Sequence, residues 1–393
     1  MSDKSLAVAG QSSADVLIAG GGIMGLWAAL EADRAGLTTL LVDGGPLGGG
    51  ASGGLLGALM PHMPDRWTDK KQLQFDALLS LEHEIEVMEA ETGLSAGYRR
   101  AGRLIPLPKP HLRVIAERHS AEAESNWTQQ GVRFAWDVLD HSPHGDFWPA
   151  LNVSAAGLVS DTFAARVSPR GLIAMLVARL RQSPRVTLCE GVAVTAIDAK
   201  GSRAALSDGR SVGFGHLVVA AGHSSFPLLS SLGPAPVRPL GQAVKGQAAL
   251  LAAPLVAPDL PLLYLDGLYI VPHEGGRVAI GSTSEDRFDA PFTTDHQLDD
   301  LVQRAVRLAP ALADAHVIER WAGLRPKAID RDPMVGPYPQ AEGVIALTGG
   351  FKVSFGLAHV LARAAIAPIV GHPASLPESF STAHHVSIAA KGG

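Results

Sequence analysis

A short segment near the amino end combines small residues with a spacing that suits a diphosphate. Gly20-Gly21-Gly22-Ile23-Met24-Gly25 has the form G-x-G-x-x-G. In such a turn Gly20 permits a sharp bend, Gly22 lets the backbone approach the pyrophosphate, and Gly25 lets helix and strand pack closely. Asp43 follows about 20 residues later, where a carboxylate can accept hydrogen bonds from ribose hydroxyls. These residues predict a dinucleotide site; a purely structural glycine turn is the alternative.

A second chemical group is the guanidinium of Arg325, late in the chain. Arg325 follows an apolar segment and precedes Pro326, which restricts the backbone of the residue before it. A guanidinium pairs with a carboxylate through two parallel hydrogen bonds, so Arg325 could hold the carboxylate of an amino acid. The alternative is a structural salt bridge with Asp330 or Asp332.

The elements around the glycine turn have the lengths of one β-α-β unit. Residues 15–19 predict a buried strand, residues 26–35 an alanine-rich helix, and residues 37–42 a second strand. Gly36 lies where this helix should end. The unit places the glycine turn at the positive end of the helix dipole, where a diphosphate is stabilised.

Three further segments of small residues favour FAD over NAD as the dinucleotide. Residues 44–54 form a run of mostly small residues that suits a backbone passing beside an extended ligand, with Ser52 able to donate to phosphate. Residues 217–222 end a predicted strand in Ala-Ala-Gly, and residues 348–351 lead into a helix whose amino end stabilises negative charge. Each segment alone could be an ordinary tight turn.

Composition excludes several functional classes. The chain has 393 residues, 47% hydrophobic and 18% charged, which fits a globular enzyme with a large core. A net charge of -5 gives no basic surface for nucleic acid. Cys189 is the single cysteine, metal-ligand spacings are absent, and a hydrolase nucleophile context is missing. No apolar run approaches about 18 residues, so we expect a cytoplasmic protein without a membrane span.

The order of predicted elements indicates two domains that interrupt each other. Residues 1–95, 150–240 and 320–393 are predicted to form an FAD-binding Rossmann-like domain of α/β class. Residues 96–149 and 241–319 are predicted to form an inserted antiparallel-sheet substrate domain. Within the substrate domain, residues 263–272 predict one strand. In the cofactor domain, the tail after Gly371 is predicted to be loose.

Four of these segments together resemble the D-amino-acid oxidase superfamily of FAD-dependent oxidoreductases, in the general pattern of glycine and sarcosine oxidases. They are the glycine motif, the loop at 50–53, the strand end at 220–222 and the element Gly323-Leu324-Arg325-Pro326. The resemblance covers almost the whole chain and implies FAD bound in extended form between two domains. With the small-residue segments it assigns the cofactor contacts to Gly20, Gly22, Ile23, Met24, Gly25, Asp43, Gly44, Ala51, Ser52, Gly53, Leu59, Val192, Ala221, Gly222, Gly350, Phe351, Lys352 and Val353.

The resemblance also implies three residues on the substrate side. Arg325 would bind the substrate carboxylate, and the hydroxyl of Tyr269 would add a hydrogen bond to it. Lys352, in the turn beside the flavin ring, would stabilise negative charge on the reduced flavin. The sequence Phe-Lys-Val-Ser-Phe-Gly at 351–356 departs from the arginine-containing turn of glycine oxidases, a difference that concerns the substrate more than the cofactor. Surface or packing roles are the alternatives for Tyr269 and Lys352.

The implied activity is oxidation of an amine or amino acid by hydride transfer from the α-carbon to flavin N5, followed by hydrolysis of the imine. Dioxygen or another acceptor would reoxidise the flavin. One rival is an FAD-dependent 2-hydroxy-acid dehydrogenase, which needs a base such as His62 or His273. Another is a non-catalytic subunit that holds FAD. The sequence leaves the oligomeric state and any covalent flavin attachment open.

Overall fold

The computed structural model describes residues 13–129 and 131–391, so residues 1–12, 130 and 392–393 of the predicted domains lie outside it. The helices are α1 (Ile23–Arg34), α2 (Asp69–Thr92), α3 (Pro110–Asn126), α4 (Pro169–Gln182), α5 (Ser225–Ser230), α6 (His296–Leu308), α7 (Ser354–Ile366) and α8 (Thr382–Ala390). The first ten strands are β1 (Ser13–Ala19), β2 (Thr39–Asp43), β3 (Ala58–Leu59), β4 (Arg103–Pro106), β5 (Thr128–Gln129), β6 (Val132–Arg133), β7 (Trp136–Leu139), β8 (Leu158–Asp161), β9 (Ala165–Arg166) and β10 (Val186–Glu190). The later strands are β11 (Val194–Asp198), β12 (Arg203–Leu206), β13 (Ser211–Val219), β14 (Gly241–Ala252), β15 (Leu262–Leu265), β16 (Leu268–His273), β17 (Arg277–Gly281), β18 (His316–Ala328), β19 (Met334–Pro337) and β20 (Val344–Thr348).

The first sheet is built on parallel strands buried on both faces. Strands β10, β2, β1, β13 and β20 run parallel, and β11, β12 and β19 add antiparallel edges. Along β1, Val16 and Ile18 enter one hydrophobic core while Leu17 and Ala19 enter the core on the other face. This two-sided burial explains why the strands are continuous apolar runs. It confirms the predicted α/β fold class around the glycine turn.

The second sheet has eight strands in the order β18-β14-β17-β16-β15-β4-β8-β7. Only the β15–β4 pair is parallel. Alternation along its strands separates two faces: Ile270 and Ile280 pack with α6, whereas Val271 and Ala279 face Leu55 from the loop after β2. The second face is therefore the one turned toward the glycine-rich segments of the first sheet.

The structure corrects three details of the predicted organisation. The segment 263–272 is a hairpin, not one strand, because Asp266 and Gly267 both have positive φ (47° and 79°), the backbone of a two-residue hairpin turn. Strand β8 and residues 320–328 of β18, which the predicted division placed in the cofactor domain, hydrogen-bond within the second sheet. The tail is ordered beyond residue 371: Phe380 is 3% exposed and α8 packs against β19.

Two further observations concern the described residues as a whole. No helix among residues 13–129 and 131–391 has the length and apolar character needed to cross a membrane. Within the same ranges, no group of three or more histidine, cysteine, aspartate and glutamate side chains is arranged to hold a metal ion.

A buried histidine in α7 makes stability depend on pH. His359 is 0% exposed, its Nε2 lies 2.9 Å from Ser80 Oγ, and burial lowers its pKa to about 4 from an ordinary value of 6.5. Because the folded state resists protonation, the stabilisation is complete above pH 6.5 and is lost as pH falls toward 4. We expect urea unfolding to show a loss on the order of 3 kcal/mol across this window from His359.

The pH dependence of unfolding can be assigned by substitution. His359→Gln keeps a polar side chain near Ser80 but cannot titrate, so its unfolding free energy should fall less than that of the wild type between pH 6.5 and 4. His372→Gln, an exposed position, serves as the control and should follow the wild-type curve. Parallel curves for His359→Gln and wild type would refute the assignment.

Candidate functional site

The glycine turn after β1 packs so closely against neighbouring backbone that side chains do not fit at two of its positions. Gly20 has a φ of +111°, and a Cβ atom there would lie 2.4 Å from the Ala220 carbonyl oxygen. A Cβ atom on Gly25 would lie 1.9 Å from the Gly20 carbonyl oxygen. Helix α1 can therefore begin directly against β1 and β13 only because these positions lack side chains, as the spacing predicted.

Asp43 and Ser52 tie the loop after β2 to the start of α1. The Asp43 carboxylate accepts hydrogen bonds from the amides of Gly21 at 2.7 Å and Gly45 at 2.8 Å. Ser52 Oγ accepts from the Ile23 amide at 2.9 Å, and a Cβ atom on Gly22 would lie 3.1 Å from the same oxygen. The predicted carboxylate and hydroxyl thus lie at the positive end of α1. Asp43 is 22 residues from Gly21 in the chain, and Ser52 is 29 residues from Ile23.

Two other strand ends converge on the same edge of the first sheet. Gly222, just after β13, has a φ of +58°, and its carbonyl accepts a hydrogen bond from Thr348 Oγ1 at 2.8 Å. A Cβ atom on Gly350, just after β20, would lie 2.6 Å from Met24 Cε. Ala221 lies at the same strand end as Gly222. Carboxyl ends of parallel strands meet at one edge, which is where ligands bind in such sheets.

The remaining predicted cofactor residues lie in the loop after β2, in the loop after β10 and at the end of β3. Ala51 and Gly53 flank Ser52 in a short 3₁₀ turn, and Gly44 packs against Ala193, since a Cβ atom on it would lie 3.2 Å from the Ala193 Cβ. The Val192 amide donates to the Asp43 carbonyl at 2.8 Å, which joins β2 to the loop after β10. Leu59, like Ile23 and Met24, has a side chain buried in the hydrophobic core, with 2%, 3% and 7% of these side chains exposed.

Arg325 lies on β18, on the face of the second sheet turned toward the first. Its Nη1 donates to Ser282 Oγ at 3.0 Å, and its Nη2 donates to the Thr283 carbonyl. A Cβ atom on Gly246 would lie 2.4 Å from Nη2, so the guanidinium rests over a bare stretch of β14. Burial lowers the pKa of Arg325 to about 10, which leaves the side chain cationic at neutral pH.

Within the described ranges, no carboxylate reaches the Arg325 guanidinium as a salt-bridge partner. Asp330 pairs with His384 at 2.9 Å, and Asp332 pairs with Lys70, so neither forms the structural salt bridge considered from sequence. The Nε atom of Arg325 is buried and has no hydrogen-bond partner among those residues. A cation in this state is able to take an anionic ligand.

Tyr269 lies on the same sheet face as Arg325, with small residues beside it. Gly281 is its cross-strand neighbour on β17, and Ala248 on β14 follows next. The Tyr269 ring lies 4.9 Å from that of Tyr264, and burial raises the pKa of the Tyr269 hydroxyl. This hydroxyl is protonated at neutral pH and can donate a hydrogen bond.

The turn after β20 lies against Arg325. Phe351 has a φ of +43°, an uncommon conformation for a non-glycine residue, and the Arg325 Cζ lies 5.3 Å from the centre of its ring. Lys352 is exposed, and desolvation together with the charge of Arg325 lowers its pKa. Val353 caps α7, and its amide donates to the Gly350 carbonyl at 2.8 Å. The two halves of the site therefore meet at residues 350–353.

Comparison with known proteins identifies the family of the chain. The family model described as FAD dependent oxidoreductase matches residues 15–364. The chain belongs to this family. It is 30% identical to the glycine oxidase of Pseudomonas aeruginosa, over 88% of this chain and 92% of the relative. It is also 30% identical to the bifunctional protein ThiO/ThiG of Synechocystis sp., covering 90% of this chain but only 51% of the relative. The chain thus spans about half the length of the ThiO/ThiG relatives that it matches.

Solved structures extend the comparison to the fold. The glycine oxidase of Geobacillus kaustophilus superposes with a TM-score of 0.81 at 23% identity, over 95% of this chain and 99% of that one. An iminodiacetate oxidase from Chelativorans sp. superposes with a TM-score of 0.80 at 25% identity, over 93% and 98%. These likenesses confirm the expected FAD-binding fold.

The residues present fit the FAD of this family. The turn at 20–25 is a cradle that side chains would fill, its amides lie at the positive end of α1, and the Asp43 carboxylate lies at the end of β2. An anionic diphosphate and a hydroxyl-bearing ribose match these donors and acceptors. Residues 350–353 follow β20, and Phe351 among them lies against Arg325.

The sequence did not predict three features of this FAD-dependent oxidoreductase. They are the hydrogen bonds of Arg325 to Ser282 and Thr283, the lack of side chains at Gly246 and Gly281, and the pairing of Tyr264 with Tyr269. The Asp-Gly turn at 266–267 was a usable signal for the last, because it predicts a hairpin that places two tyrosines opposite each other. Residues 282–283 carry no motif, and their proximity to Arg325 follows only from strand pairing.

The two candidate bases take no part in the hydrogen bonds of Arg325. His273 is 7% exposed, its Nε2 lies 3.1 Å from the Leu56 carbonyl oxygen, and burial lowers its pKa to about 4. His62 is accessible to solvent, and partial desolvation together with the charge of Lys71 lowers its pKa. Neither histidine is among the hydrogen-bond partners of Arg325 or Tyr269.

Proposed function

We propose that this protein oxidises a small amino acid or a carboxylate-bearing amine, with Arg325 binding the substrate carboxylate. The observation that carries the proposal is a cationic guanidinium on the inner face of the second sheet, with no acidic partner among the described residues and beside the turn at 350–353. The glycine oxidase and iminodiacetate oxidase relatives support the choice, since glycine and iminodiacetate each carry an amine and a carboxylate.

In this proposal each substrate-side residue has one task. Arg325 orients the carboxylate so that the α-carbon faces the cofactor, and the Tyr269 hydroxyl donates a second hydrogen bond to it. Lys352 and the amino end of α7 add positive potential near residues 350–353. The bound FAD supplies the acceptor for a hydride. No protein base is required if the amine enters as the neutral form, which suits the placement of His62 and His273.

An anaerobic substrate panel tests the proposal directly. The purified protein is mixed with amino acids, N-methyl amino acids, iminodiacetate and 2-hydroxy acids, and the flavin absorbance is followed. We expect a small amino acid or secondary amine to bleach the flavin. Bleaching by hydroxy acids alone would establish the dehydrogenase alternative, and no bleaching by any member would favour an FAD-holding subunit.

The electron acceptor and the location are also proposals. We expect dioxygen or another acceptor to reoxidise the flavin, which an oxygen electrode and a panel of quinones and dyes will distinguish. A cytoplasmic location rests on sequence composition, and cell fractionation tests it.

A further inference from the structure

A buried polar network lies on the face of the second sheet opposite Arg325. Lys245 and Gln247 project from β14 and are 3% and 0% exposed. The Lys245 ammonium lies 3.5 Å from the Glu285 carboxylate and 3.4 Å from that of Asp295, the residue that caps α6. Gln247 Nε2 donates to Glu285 at 3.0 Å and to Asp295 at 2.9 Å. Buried charges are retained only when they are paired in this way.

The network holds the segment that orients Arg325. Thr283 Oγ1 donates to Glu285 Oε1 and accepts a hydrogen bond from the backbone amide of Gln247 at 2.9 Å. The backbone of Glu285 exchanges two hydrogen bonds of 3.0 Å with Lys245. The Thr283 carbonyl and the neighbouring Ser282 hydroxyl are the two acceptors of the Arg325 guanidinium. Residues 282–285 therefore connect the buried network to the inner face of the sheet.

The shape of the site explains why Arg325 needs hydrogen-bond partners that are themselves held in place. Arg325 rests over Gly246, which has no side chain to restrain it, and its own ligands are a hydroxyl and a carbonyl. A long side chain held by two such contacts keeps its geometry only when those contacts are themselves fixed. The Lys245 charge compensates Glu285 and Asp295, which would otherwise repel each other across a partly desolvated space.

We propose that Lys245, Gln247 and Glu285 are positioning residues that preorganise Arg325 for carboxylate binding. This inference rests on the proposed function, because it assumes that Arg325 binds the substrate carboxylate. The inference assigns a role in substrate binding to side chains on the face of the second sheet opposite Arg325. These side chains act through Arg325 and do not contact the substrate.

The test compares acetate with acetamide as probes of the flavin-loaded protein. The two molecules have similar size, but only acetate carries the charge that Arg325 recognises. Binding is measured by the change in flavin absorbance and by calorimetry, so the readout does not depend on turnover. For Lys245→Met we expect the acetate Kd to rise roughly tenfold, the scale of coupling within one network, and the acetamide Kd to stay unchanged. Lys245→Arg should restore most of the acetate affinity.

Arg304→Met is the matched control. Arg304 lies on α6 and also ties this helix to the second sheet, through the Asp266 carbonyl at 3.2 Å, but it is not a hydrogen-bond partner of residues 282–285 or of Asp295. Its substitution should leave both dissociation constants unchanged. Where Lys245→Met does not fold, Glu285→Gln takes its place, since it keeps the side-chain volume and removes the charge; the same selective loss of acetate affinity is expected.

The outcomes separate the two proposals. An unchanged acetate Kd in folded Lys245→Met or Glu285→Gln, or an equal loss for acetate and acetamide, overturns the positioning role while leaving Arg325 as the carboxylate ligand. A wild-type protein that does not bind acetate overturns the carboxylate anchor itself, and with it both proposals.

Discussion

Arg325→Ala should raise the KM for the amino-acid substrate by roughly 30- to 1000-fold while the purified protein keeps its FAD. The size follows from removing one member of a desolvated charge pair, which costs about 2 to 4 kcal/mol. The flavin should remain because the glycine turn, Asp43 and Ser52 lie on the first sheet and make no hydrogen bond to Arg325. Steady-state kinetics and the ratio of flavin to protein absorbance measure both effects.

Two variants sharpen the Arg325 experiment. Arg325→Lys keeps the charge but cannot make two parallel hydrogen bonds, so it should recover only part of the loss. Arg320→Met, on the exposed side of the same strand, should behave like wild type. Loss of flavin from Arg325→Ala, or a normal KM in a folded variant, would contradict the role proposed for this residue.

The second large effect is expected at Gly22. Its φ of -75° and ψ of -177° are extended backbone that any residue adopts, so a side chain there does not strain the chain itself. The Cβ atom of valine would instead project toward Ser52 Oγ, 3.1 Å away, into the approach to the amino end of α1. We expect Gly22→Val to fold but to bind FAD on the order of 100-fold more weakly, since overpacking a close contact costs about 1–3 kcal/mol.

The comparison for Gly22 is a glycine of the same β-α-β unit outside the turn. Gly36 ends α1 with a φ of +80°, and no atom lies within 4 Å of its would-be Cβ. Gly36→Asn should keep wild-type FAD affinity, because asparagine tolerates the left-handed region. FAD titration of the apoproteins, with circular dichroism as a folding check, measures the difference. Equal affinities for Gly22→Val and Gly36→Asn would refute the diphosphate cradle.

These two predictions differ in how directly the sequence led to them. The Gly22 prediction follows mainly from the glycine turn between β1 and α1, whereas the Arg325 prediction needed the finding that no carboxylate of the described residues forms a salt bridge with it. Sequence spacing left Asp330 and Asp332 open as partners of Arg325. Their pairing with His384 and Lys70 depends on α8 and α2, elements that the local sequence around Arg325 does not contain.

The cofactor half of this protein was determined largely by the sequence itself. A strand, a glycine turn, a helix and a terminal carboxylate follow one another within about 30 residues, as in the β-α-β fingerprint. The close contacts that require glycine are therefore set by local spacing: the atoms that meet at Gly20 and Gly25 are placed by the strand and helix on either side. The predicted cofactor residues at 192, 221–222 and 350–353 lie outside this fingerprint and are brought to the same edge of the sheet by strand pairing.

The substrate half was decided by tertiary structure. Alternation along β16 and β18 predicts which residues share a sheet face, but not which residues from other segments lie opposite them. Arg325 meets Ser282 and Thr283 through the pairing of β18 with β14 and of β14 with β17, and it meets Phe351 because the two sheets pack together. Such contacts join residues far apart in the chain, so no motif records them. That Arg325 has no acidic partner among the residues that the structure describes, on which the proposed function depends, becomes visible only once the chain is folded.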